Sequence, residues 1–167
     1  MRRPAKAGRR MIVFMGDREA VNVVAAVIER EDRRILIGQR CRTDSSPLKW
    51  EFPGGKVRDS ETPEAALARE LREELGVTLR KSSEIARVQH TYAEHSEALE
   101  IRFFAAEIGE ERIVPRAFEQ IAWALPKELS QYDFLAANAT LVAHLATGKI
   151  KPREILEAAA PTQETTS

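Results

Sequence analysis

Residues 55–77 read GKVRDSETPEAALARELREELGV, and this stretch decides the fold. Leu67, Ala68, Leu71 and Leu75 recur at helical spacing, which predicts an amphipathic helix from about Pro63 to Leu75 with those residues inward. Thr62 suits the N-cap, Pro63 the first helical position and Gly76 the position just past the end. Glu70, Glu73 and Glu74 stand at i, i+3 and i+4 and therefore share another face. Like charges so placed cost a helix about 0.2–0.5 kcal/mol per pair. The cluster is either a solvated face tied by Arg69 and Arg72 or a site whose ligand offsets the repulsion. The residues just upstream favour the second. Pro53, Gly54 and Gly55 read as a tight turn, where glycine lets backbone carbonyls approach a ligand closely. Bare carbonyls leading into three carboxylates make an all-oxygen site of the kind hard divalent cations choose. The ligand candidates are Glu70, Glu73 and Glu74 with the Gly54 carbonyl, Glu74 foremost.

The spacing Gly55, five residues, Glu61, seven residues, Arg69-Glu70-Leu71, one residue, Glu73-Glu74, one residue, Gly76-Val77 resembles the Nudix box and matches every fixed position. The resemblance implies the Nudix hydrolase fold, an α/β/α sandwich with a mixed β-sheet, over roughly residues 20–147. It implies hydrolysis of a nucleoside diphosphate linked to another group, with Mg²⁺ or Mn²⁺ as cofactor. It also implies that Arg69 and Glu61 orient the metal-binding carboxylates, an arginine doing so without competing as a ligand. Many relatives carry one more glutamate before a tryptophan-bearing strand, as metal ligand or general base. Aligning on Trp123 places Ala117 at that position and Glu119 two residues later. The candidates for activating water are thus Glu119 and, within the box, Glu73.

Outside the box the chain resembles the MutT-like branch, which hydrolyses nucleoside triphosphates to the monophosphate and pyrophosphate. Lys49 to Lys56 reads KWEFPGGK, close to the wording of that branch, and Arg40 precedes Phe52 by the spacing of its substrate-contacting arginine and phenylalanine. The segment Phe134-Leu135-Ala136-Ala137-Asn138 resembles the one whose asparagine reads a purine edge. An Asn amide offers a donor and an acceptor, as the O6 and N–H of an oxidised guanine require; Asn138 otherwise caps the final helix. Phe52 can pack on the base, and Arg40 can reach a sugar or phosphate oxygen. Ala117 in place of a glutamate and Ser45 in place of a substrate-side histidine depart from the branch. The resemblance therefore implies 8-oxo-dGTP as substrate, with CTP the nearest alternative and nucleotide sugars, ADP-ribose or coenzyme A behind. A non-catalytic binding module is disfavoured because every box glutamate is present.

With 167 residues, 43% of them hydrophobic, the chain suffices for one domain with a proper core. We expect a basic N-terminal tail over 1–19, the catalytic domain over 20–147 and a C-terminal tail, partly a frayed helix, over 148–167. Lys plus Arg equals Asp plus Glu at 26 each, so no charge excess argues for a nucleic acid polymer, and a small nucleotide fits better. The single Cys41 excludes an internal disulfide and suits a reducing cytoplasm. The apolar run Met11–Met15 behind Arg2, Arg3, Lys6, Arg9 and Arg10 is too short for a signal peptide or a membrane span. A cytoplasmic location is expected.

Val21–Glu29 and Ile35–Ile37 flank a polar Glu31–Arg33 and read as a hairpin. Trp50–Pro53 reads as extended, Ile85–Tyr92, Ala98–Ile108 and Ile121–Ala124 as further strands, and Leu135–Ala146 as a closing helix with Leu141, Val142 and Leu145 inward. Strands interrupted by helices give a mixed sheet with helices on both faces. Tyr92 needs no ligand as a strand tyrosine, and His90, His95 and His144 form no metal-spaced group.

Overall fold

Strand β1 (Val21–Ile28) is buried from Val24 to Ile28 on both of its faces, so it must lie centrally with a layer on each side. It pairs in parallel with β6 (Ala98–Ile108) and antiparallel with β4 (Gly54–Lys56); β5 (Leu79–Thr91) closes the far edge against β6. A second sheet centres on β2 (Ile35–Arg40), which pairs antiparallel with β3 (Trp50–Glu51) and β7 (Phe118–Ala124). This computed structural model describes residues 20–92 and 97–159. The expectations for segment 1–19, for His95 and for residues 160–167 lie outside the described residues.

Alternation along the strands divides the core in two. Val24, Ala26, Ile28 and Leu36 meet Ala66, Leu67, Leu71 and Leu75 of helix α1 (Pro63–Leu75). Ala25, Val27, Ile35 and Ile37 meet Leu141, Val142 and Leu145 of helix α2 (Ala139–Ala146) on the opposite side. The result is an α/β/α sandwich whose middle layer is two sheets sharing both cores.

Helix α1 forms where the periodicity places it. Thr62 Oγ1 accepts from the Ala65 N–H at 3.1 Å, and Gly76 closes the helix at φ 69°, a left-handed conformation only glycine adopts cheaply. Leu67, Leu71 and Leu75 are 0% exposed, each burial contributing about 1.5–3 kcal/mol. Ala66, rather than the expected Ala68, completes the buried stripe.

Two expectations need correction. The hairpin does not form: β1 and β2 share only the single bridge Glu29↔Ile35. Both edges of β1 are already taken by β4 and β6, so β2 turns away to build its own sheet. The closing helix begins later than expected, because Ala136–Asn138 is a 3-10 turn and α2 starts at Ala139. The helix expected within the C-terminal segment is present as α3 (Pro152–Ala158), with Pro152 and Leu156 buried. The Glu29 carboxylate accepts the Arg153 backbone N–H at 3.1 Å and anchors the start of that helix. Among the described residues no helix is long and apolar enough to cross a membrane.

Candidate active site

Gly54 and Gly55 do not form a turn. They lie in β4, paired with Ala25 and Val24 of β1, and neither has a positive φ. Their lack of a side chain serves close packing: a Cβ on Gly54 would strike the Val24 carbonyl, and one on Gly55 would strike the Glu70 carboxylate. This strand therefore lies directly beneath the acidic face of α1. Gly54 donates its N–H to Glu74 Oε2 at 3.0 Å.

Arg69 organises the remaining acids. Its Nε and Nη2 hold the two oxygens of Glu61 at 2.6 and 3.0 Å, Nη1 reaches Glu70 Oε1 at 2.8 Å and Glu73 Oε2 at 3.4 Å, and Nη2 also donates to the Lys56 carbonyl at 3.0 Å. A planar fork with fixed donors suits this better than an ammonium would. The hydrogen bond from Arg69, helped by the Arg58 N–H, holds the Glu61 carboxyl down to about 2. Glu74 is shifted the other way. Burial, followed by the charge of Glu70, pushes it up to about 8 against the opposing Gly54 hydrogen bond.

The donors present fit a hard divalent cation. They are carboxylate oxygens beside a strand with no side chains in the way, and the charge of Glu70 burdens Glu74 in a manner that a cation would relieve. They do not stand as a finished cage, however. Glu73 is 52% exposed and drawn toward Arg69 and Arg58, and among the described residues no three potential ligands converge on one point.

From this acidic end a cleft of about 650 Å³ runs along β1 to the start of α2. Its walls bring together Glu74, Gly54, Gly55, Arg40, Phe52 and Asn138. Asn138 is 5% exposed and occupies the N-cap position of α2, yet its side chain makes no capping hydrogen bond. Phe52 is 3% exposed and wedged between Phe103 and Phe134 at ring distances of 6.1 and 5.4 Å; it is first a core residue that also lines the cleft. A larger hollow of about 800 Å³ lies at the other end of β1, between Glu29, Trp123 and α3. It holds none of the box acids, whereas the smaller cleft is lined by Glu74.

Glu119 lies off the cleft. It sits at the bulge where β7 slips against β2, because Gln39 pairs with Gln120 and Arg40 with Phe118. Its carboxylate is held by Arg42 Nε at 2.9 Å. Arg40 is also tied within the chain, Nε to the Ser45 carbonyl at 2.8 Å, Nη2 to Ser45 Oγ at 3.1 Å and Nη1 to Glu51 Oε2 at 3.2 Å. Glu51, which the sequence did not single out, lies on the cleft wall, and Tyr92, set aside above as a strand tyrosine, lines the cleft as well. Glu51 was readable only as one acid between Trp50 and Phe52, whose alternation along an extended segment turns it away from the core.

A family model described as NUDIX domain matches residues 19–145. A CTP pyrophosphohydrolase from Escherichia coli is 33% identical over 80% of this chain and 98% of its own length. An 8-oxo-dGTP diphosphatase from Haemophilus influenzae is 34% identical over 77% of this chain and 93% of its own. Among solved structures, a MutT NUDIX hydrolase from Burkholderia pseudomallei superposes with a TM-score of 0.65 at 27% identity, covering 75% of this chain and 97% of that one. With the acidic helix, the glycine strand beneath it and matches that span nearly whole relatives, the chain belongs to the Nudix hydrolase family.

Proposed function

We propose that this chain hydrolyses a nucleoside triphosphate to the monophosphate and pyrophosphate with Mg²⁺ or Mn²⁺, acting on an 8-oxo-dGTP-like nucleotide in the cytoplasm to cleanse the nucleotide pool. The observation that carries this reading is the single cleft with Glu74 and Gly54 at one end and Phe52 and Asn138 at the other. Phosphoanhydride cleavage needs neutralised phosphate charge and an oriented water at one end, and a nucleoside held at the other.

Glu70, Glu73, Glu74 and the Gly54 carbonyl would hold the metal, which supplies positive charge to the phosphate oxygens. The chain's own residues do the rest. Arg69 and Glu61 keep Glu70 in place above Gly55. Glu73, the most exposed of the box acids, accepts the proton of the attacking water, whereas Glu119 would first have to break its 2.9 Å contact with Arg42. Asn138 offers an uncapped amide to the base edge, and Arg40 borders the sugar and phosphates.

A panel of nucleotides assayed with Mg²⁺ and with Mn²⁺, scoring release of pyrophosphate against phosphate, tests the proposal. Turnover is expected for a triphosphate, with pyrophosphate as product; absence of turnover on every triphosphate sinks it. CTP is the second reading, supported by the match to nearly the full length of the CTP pyrophosphohydrolase.

A further inference from the structure

The roles above leave Arg58 unused. Two arginines reach the Glu73 carboxylate, Arg69 Nη1 meeting Oε2 at 3.4 Å and Arg58 Nη2 meeting Oε1 at 3.8 Å. They are held very differently. The Arg69 side chain is 17% exposed and is tied to Glu61, Glu70 and the Lys56 carbonyl as well. The Arg58 side chain is 65% exposed, its contact with Glu73 is longer than a hydrogen bond, and among the described residues it makes no other ion pair. Its backbone N–H, by contrast, is fixed on Glu61 Oε2 at 3.0 Å, so the root of the side chain is anchored while the guanidinium is loose. That guanidinium stands beside the box acids, two residues past Lys56, which still lines the cleft.

We propose that Arg58 binds the phosphate farthest from the nucleoside and, after cleavage, the departing pyrophosphate. This rests on the cleft being a nucleoside triphosphate site. With Phe52 and Asn138 at one end and Glu74 at the other, a triphosphate laid along the cleft runs toward the acids and carries most of its charge at its far end. Arg69 cannot serve that phosphate, because the box carboxylates and the Lys56 carbonyl already take its donors. Arg58 can. A guanidinium presents paired donors that match phosphate oxygens, and an exposed, long ion pair costs little to give up. The consequence is selection by chain length, since a nucleoside monophosphate ends short of Arg58 whereas the outer phosphates of a triphosphate reach it.

The test titrates inorganic pyrophosphate, and separately the matching nucleoside monophosphate, into wild type, Arg58→Gln and Arg58→Lys by calorimetry with Mg²⁺ present. Arg58→Gln should weaken pyrophosphate binding about tenfold and leave the monophosphate within about twofold. Arg58→Lys, which keeps the charge but loses the fork, should fall between and serves if the Gln variant folds poorly. In the steady state, KM for the triphosphate and the inhibition constant of pyrophosphate should rise by the same factor with kcat nearly unchanged, because a contact made equally before and during cleavage is uniform binding. Pyrophosphate affinity that neither substitution moves overturns the proposal, as does an equal loss for pyrophosphate and monophosphate. So does a fall in kcat with pyrophosphate binding intact, which would make Arg58 a residue that acts through Glu73. A wild type inactive on every triphosphate sinks the cleft reading and this assignment with it, whereas turnover with unmoved pyrophosphate binding sinks this assignment alone.

Discussion

The Gly54 backbone N–H donates to Glu74 Oε2 at 3.0 Å, joining a strand to a helix that follows it in the chain. This bond holds a carboxylate that its surroundings would rather keep protonated, since burial and Glu70 push Glu74 up to about 8. The folded state thus binds a proton that the unfolded chain, with an ordinary carboxyl near 4.5, gives up. Where the native state holds more protons, stability falls as pH rises. Without added metal, stability should be highest below about pH 4.5 for this group and should decline through pH 8, by on the order of 2 kcal/mol after discounting for solvent access. Glu74→Gln should remove the decline, keep the Gly54 bond through its amide oxygen and cut metal-dependent turnover about a thousandfold or more. Urea unfolding at pH 5, 6.5 and 8 with a chelator present checks the first part, and a steady-state assay the second. A variant that retains activity would mean Glu74 is not in the metal site.

Metal and proton should compete at the same carboxylate. A divalent cation requires Glu74 ionised, so binding Mn²⁺ at pH 6.5 should release about one proton and at pH 9 almost none. Calorimetry in two buffers of different ionisation enthalpy measures the number directly. Binding with no buffer dependence at pH 6.5 would place the cation away from Glu74.

Adjacent glycines should fail in different ways. A Cβ on Gly54 meets the Val24 carbonyl and the Ala25 Cα, both backbone atoms of the central strand that cannot yield. Gly54→Ala should therefore cost about 3 kcal/mol or more of stability. A Cβ on Gly55 meets the Glu70 carboxylate, the far end of a side chain. Gly55→Ala should cost about 1 kcal/mol and act mainly on catalysis, by displacing Glu70 from beneath Arg69. Thermal unfolding and kcat measured on both variants separate the two cases. Equal loss of stability would contradict the packing difference.

What could be read in advance was local. The α1 stripe and its caps depend on residues within one helical turn of each other, and Thr62, Pro63 and Gly76 all serve as their types suggest. Gly54 and Gly55 were misjudged as a turn because their partner is β1, about thirty residues upstream, and glycine in a turn looks the same in sequence as glycine under a crowded helix. The hairpin failed for a related reason, since nothing between Val21 and Ile37 reveals that β6 will claim one edge of β1. Glu51 escaped notice because its meaning depends on Arg40, brought alongside by pairing of β2 with β3. Arg40, Phe52 and Asn138, singled out from sequence spacing, line one cleft, but the demands on Phe52 from Phe103 and Phe134 appear only once the core is assembled.

Asn138 offers the sharpest separation of structure from recognition. A helix N-cap asparagine replaced by alanine commonly costs about 1 kcal/mol, because a backbone N–H loses its partner. Here the side chain makes no capping bond and borders the cleft instead. Asn138→Ala should consequently change stability by less than about 0.5 kcal/mol from capping, while altering kcat/KM ratios among bases by about tenfold or more. It should leave the release of pyrophosphate rather than phosphate unchanged, since the acidic end of the cleft is untouched. Chemical denaturation paired with assays on 8-oxo-dGTP, dGTP and CTP decides the matter. Equal losses on all three nucleotides, together with a stability loss near that of a broken cap, would assign Asn138 to the helix and remove it from the base site.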